Sequence, residues 1–311
     1  MSVDTKGAVR GGTTWRRALK RDWRLYSLLV LPLAFLLVFR YVPMAGNVVA
    51  FRRFRPGGSM FGDEWAGLRY FELFVNDPMF WRAFWNTFIL GGLTLLIVFP
   101  LPIVLALMLN ELRSRRFKKI AQSISYLPHF MSVVIVAGLV LQLASARGSI
   151  NQAIEAVGGT AVPFMQLPDW FRTIYVSSEI WQTVGWGTIL YLAALTTIDP
   201  QLYEAARIDG ANRWKQIWHV TVPGIRPTMI VLLILNIGTF MSVGFEKVLL
   251  LYNPLLFPTA DVIATYLYRV GIISSNFSYA TAIGLFEALI GLVLILTANA
   301  ISRRTVGTSL W

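Results

Sequence analysis

The sequence predicts an all-α membrane protein with six transmembrane helices. Its 311 residues are 56% hydrophobic and only 14% charged, whereas a soluble domain carries roughly 25% charged residues. Apolar segments of about 20 residues, the length at which a helix crosses a bilayer, recur along the chain. The six predicted spans are 26–44, 87–109, 125–144, 180–198, 228–245 and 279–301.

Two of these spans, and one shorter apolar run, differ from a regular apolar helix of about 20 residues. Pro100 and Pro102 should kink the second span, a break that neighbouring helices can satisfy. The fourth span is more polar than the others. The apolar run 248–257 is too short to cross, and we interpret it as a re-entrant or pore-lining extension of the fifth span.

The basic residues are distributed unequally across the predicted membrane. With the N-terminus in the cytoplasm, 18 of the 28 Lys and Arg residues lie on the cytoplasmic side, and this side carries the whole net charge of +12. The positive-inside rule therefore predicts cytoplasmic termini, a basic cytoplasmic tail over residues 1–25 and a six-span domain over 26–311. Charge confined to one face, beside anionic lipid, requires no nucleic-acid partner.

Several classes of chemistry lack the residues that they need. Cysteine is absent, so disulfides and thiolate metal sites are excluded. His129 and His219 are far apart and form no metal-binding motif, which leaves a membrane-embedded enzyme without a nucleophile–base or metal cluster. The sequence contains no G-x4-G-K-[ST] motif. We therefore expect no metal and no cofactor in this chain, and no ATP hydrolysis by it alone.

Residues 199–227 form the longest polar stretch in the C-terminal half, and they include residues typical of helix caps and turns. Asp199 is placed to cap a helix that has Pro200 at its first position, as Asp77 is before Pro78. Gly210 can end that helix in the left-handed conformation. Asn212 then caps a second helix, 213–220, which Pro223 should end. The pattern predicts two short helices between two spans.

This loop resembles a family motif. Glu204-Ala205-Ala206, then Gly210, then Val220-Thr221-Val222-Pro223, are similar to the EAA loop of bacterial ABC-importer permeases. Stretch 65–87 resembles the entry to the second span of sugar-importer permeases. Stretches 20–26, 245–254 and 301–311 resemble the polysaccharide-type permeases within the maltose-importer-like group. The resemblance implies that the loop is a coupling helix for an ATPase; the alternative is a capped linker with a solvated glutamate. The implied coupling residues are Tyr203, Glu204, Ala205, Ala206, Asp209, Gly210 and Pro223.

The resemblance also implies an assembly and a cargo. It implies a bacterial cell-membrane heterodimer with a second, homologous permease, two cytoplasmic ATPase domains that bind ATP and Mg, and an extracytoplasmic solute-binding lipoprotein. The implied cargo is carbohydrate. The competing hypothesis is a self-contained secondary transporter, which needs coupling-ion sites and usually internal repeats. Neither is apparent in the sequence.

Polar residues inside spans are candidates for the transport pathway, because they are costly in lipid. Glu287 is either a pathway group or a buried structural acid. Asn236 lies on one helix face with Thr239 and Ser242, a face that either lines a pathway or bonds to another span. The full set of candidate pathway residues is Trp186, Tyr191, Asn236, Glu246, Tyr252, Asn253 and Glu287.

The predicted topology can be tested by labelling, because the chain has no native cysteine. Ser59→Cys lies in the predicted outer loop and Ser114→Cys in the first inner loop. A membrane-impermeant thiol reagent should label them from opposite sides of intact vesicles. Labelling of both from one side would contradict the six-span topology.

Overall fold

The structure is a computed structural model that describes residues 21–307. Most of these residues lie in helices. Four helices are long and apolar enough to cross a bilayer. They are α1 (Trp23–Phe51), α3 (Pro78–Glu111), α9 (Arg213–Gly238) and α13 (Phe277–Val306). They correspond to predicted spans one, two, five and six, and they confirm the all-α membrane fold. Most of the predicted tail, residues 1–25, lies outside the described residues.

The remaining elements are shorter or less apolar. A two-stranded antiparallel hairpin follows α1, with Arg52 opposite Trp65. The elements are β1 (Arg52–Arg53), β2 (Glu64–Trp65), α2 (Arg69–Val75), α4 (Arg115–Phe130), α5 (Val133–Leu143), α6 (Ser149–Ala156), α7 (Pro168–Leu195), α8 (Pro200–Ile208), α10 (Phe245–Leu251), α11 (Phe257–Ala260) and α12 (Ile263–Ile273).

The third predicted span is not a single helix. Residues 125–144 divide between α4 and α5, which meet at a bend of 98°. Pro128 lies in the 3-10 turn that ends α4, and the hydroxyl of Ser132 accepts a hydrogen bond from the Ile135 N–H at 3.3 Å to start α5. Hydropathy missed the break because the strongly apolar α5 dominates the average over this segment.

The fourth predicted span corresponds to α7, which begins at Pro168 rather than near residue 180. Its 28 residues extend roughly 42 Å at 1.5 Å per residue. It is less apolar than the four helices named above, since it carries Asp169, Arg172 and Glu179. These side chains are tolerated because α7 packs against α3, α4, α5 and α9, so that protein rather than lipid surrounds much of it.

Prolines inside the apolar helices are accommodated without ending them. A π-helical turn lies before each of three prolines: Leu37–Tyr41 before Pro43, Thr94–Val98 before Pro100, and Ile217–Thr221 before Pro223. Each wider turn contains the carbonyl of residue i−4, which the proline ring would otherwise strike. The prediction that Pro223 ends a helix is therefore wrong, because α9 continues through it to Gly238.

The outer end of the fifth span also differs from the prediction. Helix α9 stops at Gly238, seven residues before the predicted end at 245, and Gly244 then takes a left-handed φ of +32°. Residues 248–257 are not an extension of α9. They form the end of α10, which packs against α5, and a 3-10 turn over Pro254–Leu256.

The outer entry to α3 is a capped and crowded junction. Asp77 accepts a hydrogen bond from the Met79 N–H at 2.8 Å, which confirms the predicted cap, and the hydroxyls of Tyr266 and Tyr279 also donate to it. Burial opposes ionisation of this carboxyl, but these hydrogen bonds outweigh it and lower the pKa of Asp77. Aromatic residues surround this junction, and Phe74 and Phe80 among them are fully buried.

Three buried clusters hold the helices together. One lies between α3, α5, α7 and α10 and includes Leu90 and Leu251; a second, largely aromatic, joins α2 and α3 to α13 through Phe74. The third lies in the halves of α3, α7 and α9 nearest the 199–227 loop and includes Ile103 and Ile225. By contrast, α1 packs chiefly through its last six residues, Gly46–Phe51, against α13.

Helices α7 and α4 approach each other closely at Gly185. A methyl group at Gly185 would overlap the carbonyl oxygen of Ser125. Gly185→Ala should therefore destabilise the purified protein by about 1–3 kcal/mol, the usual effect of overpacking, and lower its thermal unfolding temperature.

Gly138→Ala is the matched control. Gly138 also lies in a helix, but a methyl group there meets nothing within 4 Å. This variant should be neutral or slightly stabilising, because alanine is the better helix former. Equal unfolding temperatures for the two variants would contradict the packing of α4 on α7.

Candidate functional site

The first helix of the 199–227 loop is capped at both ends as predicted. The carboxylate of Asp199 accepts a hydrogen bond from the Gln201 N–H at 2.9 Å. At the other end Gly210 has φ +76°, and the Ala211 N–H donates to the Ala206 carbonyl at 2.8 Å. The Gly210 N–H donates to the carbonyl of Arg207, which completes a Schellman C-cap. Each end of α8 is thus set by local sequence.

The second helix of the loop is part of a transmembrane helix. The side-chain oxygen of Asn212 accepts from the Lys215 N–H at 2.9 Å, which confirms the predicted cap. The helix that starts there does not stop at residue 220 but runs to Gly238 as α9. A displacement of the loop therefore acts directly on a span.

Tyr203 joins the two helices of the loop. Its hydroxyl lies 3.1 Å from the Thr221 hydroxyl, within hydrogen-bond distance, in the π turn of α9. Thr221 is buried, and its hydroxyl also donates to the carbonyl of Gln216. This contact fixes the angle between α8 and α9.

The rest of α8 presents a mixed surface of apolar and charged side chains, which includes the exposed Arg207. Glu204 and Ala205 are exposed, and Ile208 is 87% exposed. Trp214, at the start of α9, is 71% exposed. Large apolar side chains of this kind, grouped on a polar loop, indicate a surface that another protein covers. Asp209 is also exposed, as is Pro223, two residues after the π turn.

Three adjoining cavities contain three of the seven predicted pathway residues. A cavity of about 210 Å³ is lined by Asn236, Glu179 and Ser242, among others. Ser242 also lines a cavity of about 410 Å³ that contains Glu287. Glu179 also lines a third, of about 420 Å³, that contains Glu246. The shared residues make a continuous polar surface along α7, α9 and α13. In the described part of the chain no side chain hydrogen-bonds to Glu287.

Four predicted pathway residues have other surroundings. Tyr191 is 2% exposed and packs with Ile225 in the third cluster. Asn253 donates to the Met165 carbonyl at 2.8 Å and caps the turn that follows it. Tyr252 stacks on Phe257. Trp186 is 43% exposed and stacks on His129 at 4.6 Å between ring centroids. The pathway hypothesis is supported best for Asn236, Glu246 and Glu287.

The sequence analysis missed a buried ion pair between these cavities. Lys247 Nζ lies 2.6 Å from Glu179 Oε1, and the lysine side chain is 3% exposed. Its ammonium lies 5.9 Å from the centroid of the Tyr175 ring. Glu179 lies one residue before the predicted start of span four, so only the true length of α7 reveals that it is inside the bundle. Lys247 precedes an apolar run, and the sequence alone gives no sign that its side chain is buried.

Metal chemistry finds no support in the part of the chain that the structure describes. No three His, Asp or Glu side chains there converge as a ligand set. Of the carboxylates at the cavities, Glu179 is paired with a lysine.

Comparison with known proteins places the chain in a family. Residues 98–307 match the model of the binding-protein-dependent transport system inner membrane component family, and the chain belongs to this family. It is 45% identical to protein LplB of Bacillus subtilis, over 94% of this chain and 92% of LplB. It is 44% identical to the polygalacturonan/rhamnogalacturonan transport system permease protein YteP of the same organism, over 90% and 88% of the two chains.

A solved structure agrees with this assignment. The fold matches a chain of a bacterial alginate ABC transporter in complex with an alginate pentasaccharide-bound periplasmic protein, with a TM-score of 0.88 and 43% identity. The match covers 96% of this chain and 100% of the other. The chain is therefore a multi-pass permease subunit of an ABC importer, as the loop motif indicated.

The Glu179–Lys247 pair gives a stability prediction. Lys247→Met leaves a largely buried carboxylate without its partner, and it should destabilise the purified permease by about 3 kcal/mol. The double variant Glu179→Gln/Lys247→Met should recover much of this loss, because neither charge remains.

Thermal unfolding in detergent is measured for Lys247→Met, for Glu179→Gln and for the double variant. The three values give the coupling free energy between the two residues. Glu246→Gln is the control, since Glu246 is adjacent but exposed and should have little effect. A loss in Lys247→Met no larger than in the control would mean that the ion pair does not stabilise the bundle.

Proposed function

We propose that this chain is the membrane-spanning subunit through which an ATP-driven importer moves an oligo- or polysaccharide into the cell. Its relatives include a polygalacturonan/rhamnogalacturonan permease and the alginate transporter. The polar cavities supply carboxylates, amides and hydroxyls, which are the groups that hydrogen-bond to sugar hydroxyls.

The proposed partners follow from the same assignment. A second, homologous permease would complete the pathway, and an extracytoplasmic solute-binding protein would deliver the cargo. Two cytoplasmic ATPase domains would bind ATP and Mg and hydrolyse the nucleotide. In this arrangement both termini of the chain are cytoplasmic, and the chain performs no hydrolysis itself.

The continuity of the loop with α9 is the observation that carries the coupling mechanism. The exposed surface of α8, with Glu204 at its centre, would dock on an ATPase, and Tyr203 would keep α8 fixed against α9. Closure of the ATPases would then move α9, whose outer end carries Asn236 beside the polar cavities. Access to the cavities would alternate between the two sides of the membrane. A self-contained secondary transporter would have no use for an exposed docking loop of this kind.

Two variants test the coupling role directly. Gly210→Val places a β-branched residue at a φ of +76°, which strains the turn by about 1–2 kcal/mol. Glu204→Lys reverses a charge on the docking surface. Both variants should insert and pair with the second permease. Both should retain less ATPase in a detergent pull-down, or hydrolyse ATP without uptake in liposomes that contain the solute-binding protein and a carbohydrate cargo.

Matched controls lie in the second predicted outer segment, between predicted spans three and four. Gly158→Val imposes the same kind of strain, because Gly158 has φ +86° and open space around it. Glu155→Lys reverses an exposed charge on α6. Both should bind the ATPase and transport normally. Wild-type coupling in the Gly210 and Glu204 variants would reject the coupling role. Uptake by the wild type without any ATPase subunit would instead favour a secondary transporter.

A further inference from the structure

The three adjoining cavities differ from the rest of the chain in the sign of their charge. The chain as a whole has a net charge of +12. The described residues that line the cavities nevertheless include three carboxylates and one lysine, which are Glu179, Glu246, Glu287 and Lys247. The remaining titratable side chains there are His129 and Tyr175, and neither adds negative charge near neutral pH. A basic protein thus presents an acidic surface where the cargo is proposed to pass.

The single lysine at the cavities is not available to an acidic cargo. The Lys247 ammonium lies 2.6 Å from the Glu179 carboxylate, and the lysine side chain is 3% exposed. Its charge is therefore already compensated, and a carboxylate of the cargo would bring two anions together around one buried ammonium. Beyond this pair, Nζ makes no hydrogen bond to the described residues. It can still donate to an uncharged oxygen, such as that of a sugar hydroxyl.

The other two carboxylates are not paired with a cation. Glu246 is exposed and Glu287 is half-buried, and neither forms an ion pair within the described part of the chain. Such groups repel a second anion. Two like charges about 8 Å apart weaken binding roughly thirtyfold at an effective dielectric constant of about 20, and screening by salt reduces this to about tenfold. An uncharged sugar avoids the repulsion and donates its hydroxyl hydrogens to the same carboxylates.

We propose that the cargo is an uncharged oligosaccharide, and that the carboxylates of this chain select against sugars that carry carboxylates. The inference rests on the proposed function, because it assumes a carbohydrate in the cavities. It sets this chain apart from the alginate transporter, whose cargo is an acidic polysaccharide. Identity of 43% leaves more than half of the matched positions different, which is enough to change the charge of a cavity. Repulsion of the wrong cargo is a common source of specificity.

The test compares two sugars that differ only in charge, a trisaccharide of galacturonic acid and its full methyl ester. Thr183→Cys places one thiol in the cavity that contains Glu179 and Glu246, since the chain has no native cysteine. In the detergent-purified importer complex, a sugar bound in this cavity should slow the reaction of the thiol with a small uncharged reagent. The ester should protect the thiol at about a tenfold lower concentration than the acid.

Two double variants in the same background assign the selectivity to this chain. Glu246→Gln/Glu287→Gln removes the two unpaired carboxylates and keeps side chains that form hydrogen bonds. It should reduce the tenfold difference between acid and ester to less than threefold. Glu155→Gln/Asp169→Asn is the matched control, because it removes two exposed carboxylates that line none of the three cavities. The control should keep the full difference.

Two outcomes would overturn the charge selection and leave the proposed function intact. The first is equal protection by the two sugars, or better protection by the acid. The second is the same ratio in both double variants, which would remove the role of Glu246 and Glu287. Protection by neither sugar at any concentration would instead count against carbohydrate in the cavities, and so against the proposed function as well. ATPase coupling is tested separately by the Gly210 and Glu204 variants.

Discussion

The bundle depends on hydrogen bonds that satisfy irregular backbone inside a membrane protein. Between α10 and α12 the chain forms only a 3-10 turn and the single-turn helix α11, and unpaired backbone groups there would cost several kcal/mol each in an apolar surrounding. Asn86 of α3 donates to the carbonyls of Pro258 and Asp261, and Thr87 accepts from the Ile263 N–H at 2.8 Å. Arg172 of α7 donates to Asn86 in turn. Two helices thus hold this segment in place.

The same arrangement explains why helix α7 carries more polar residues than the other long helices. Helix α7 supplies Arg172 to the irregular segment and Glu179 to the ion pair with Lys247. It also provides Gly185 for the close approach of α4. A helix with so many partners inside the protein has little need of an apolar surface, and its low hydropathy follows from its central place.

The sequence predicted features that short stretches of chain determine. The caps at Asp77, Asp199 and Asn212 and the left-handed Gly210 follow from residues within one turn, and all four are confirmed. The passage of α9 through Pro223 and the bend between α4 and α5 depend on tertiary packing and on π and 3-10 turns. The ion pair of Glu179 joins helices 68 positions apart in sequence, a distance over which periodicity carries no signal.

The continuity of α9 has a mechanical consequence. Arg213 and Asn236 lie on one helix, roughly 35 Å apart at 1.5 Å per residue. In the proposed mechanism a helix of this length would carry a displacement from the 199–227 loop to the cavities without a relay of side chains. Its compliance is concentrated in the π turn at Ile217–Thr221, where the helix is wider and Pro223 removes a hydrogen bond. In the proposed coupling this turn would be the point about which α9 bends, and the Tyr203–Thr221 contact lies at that turn.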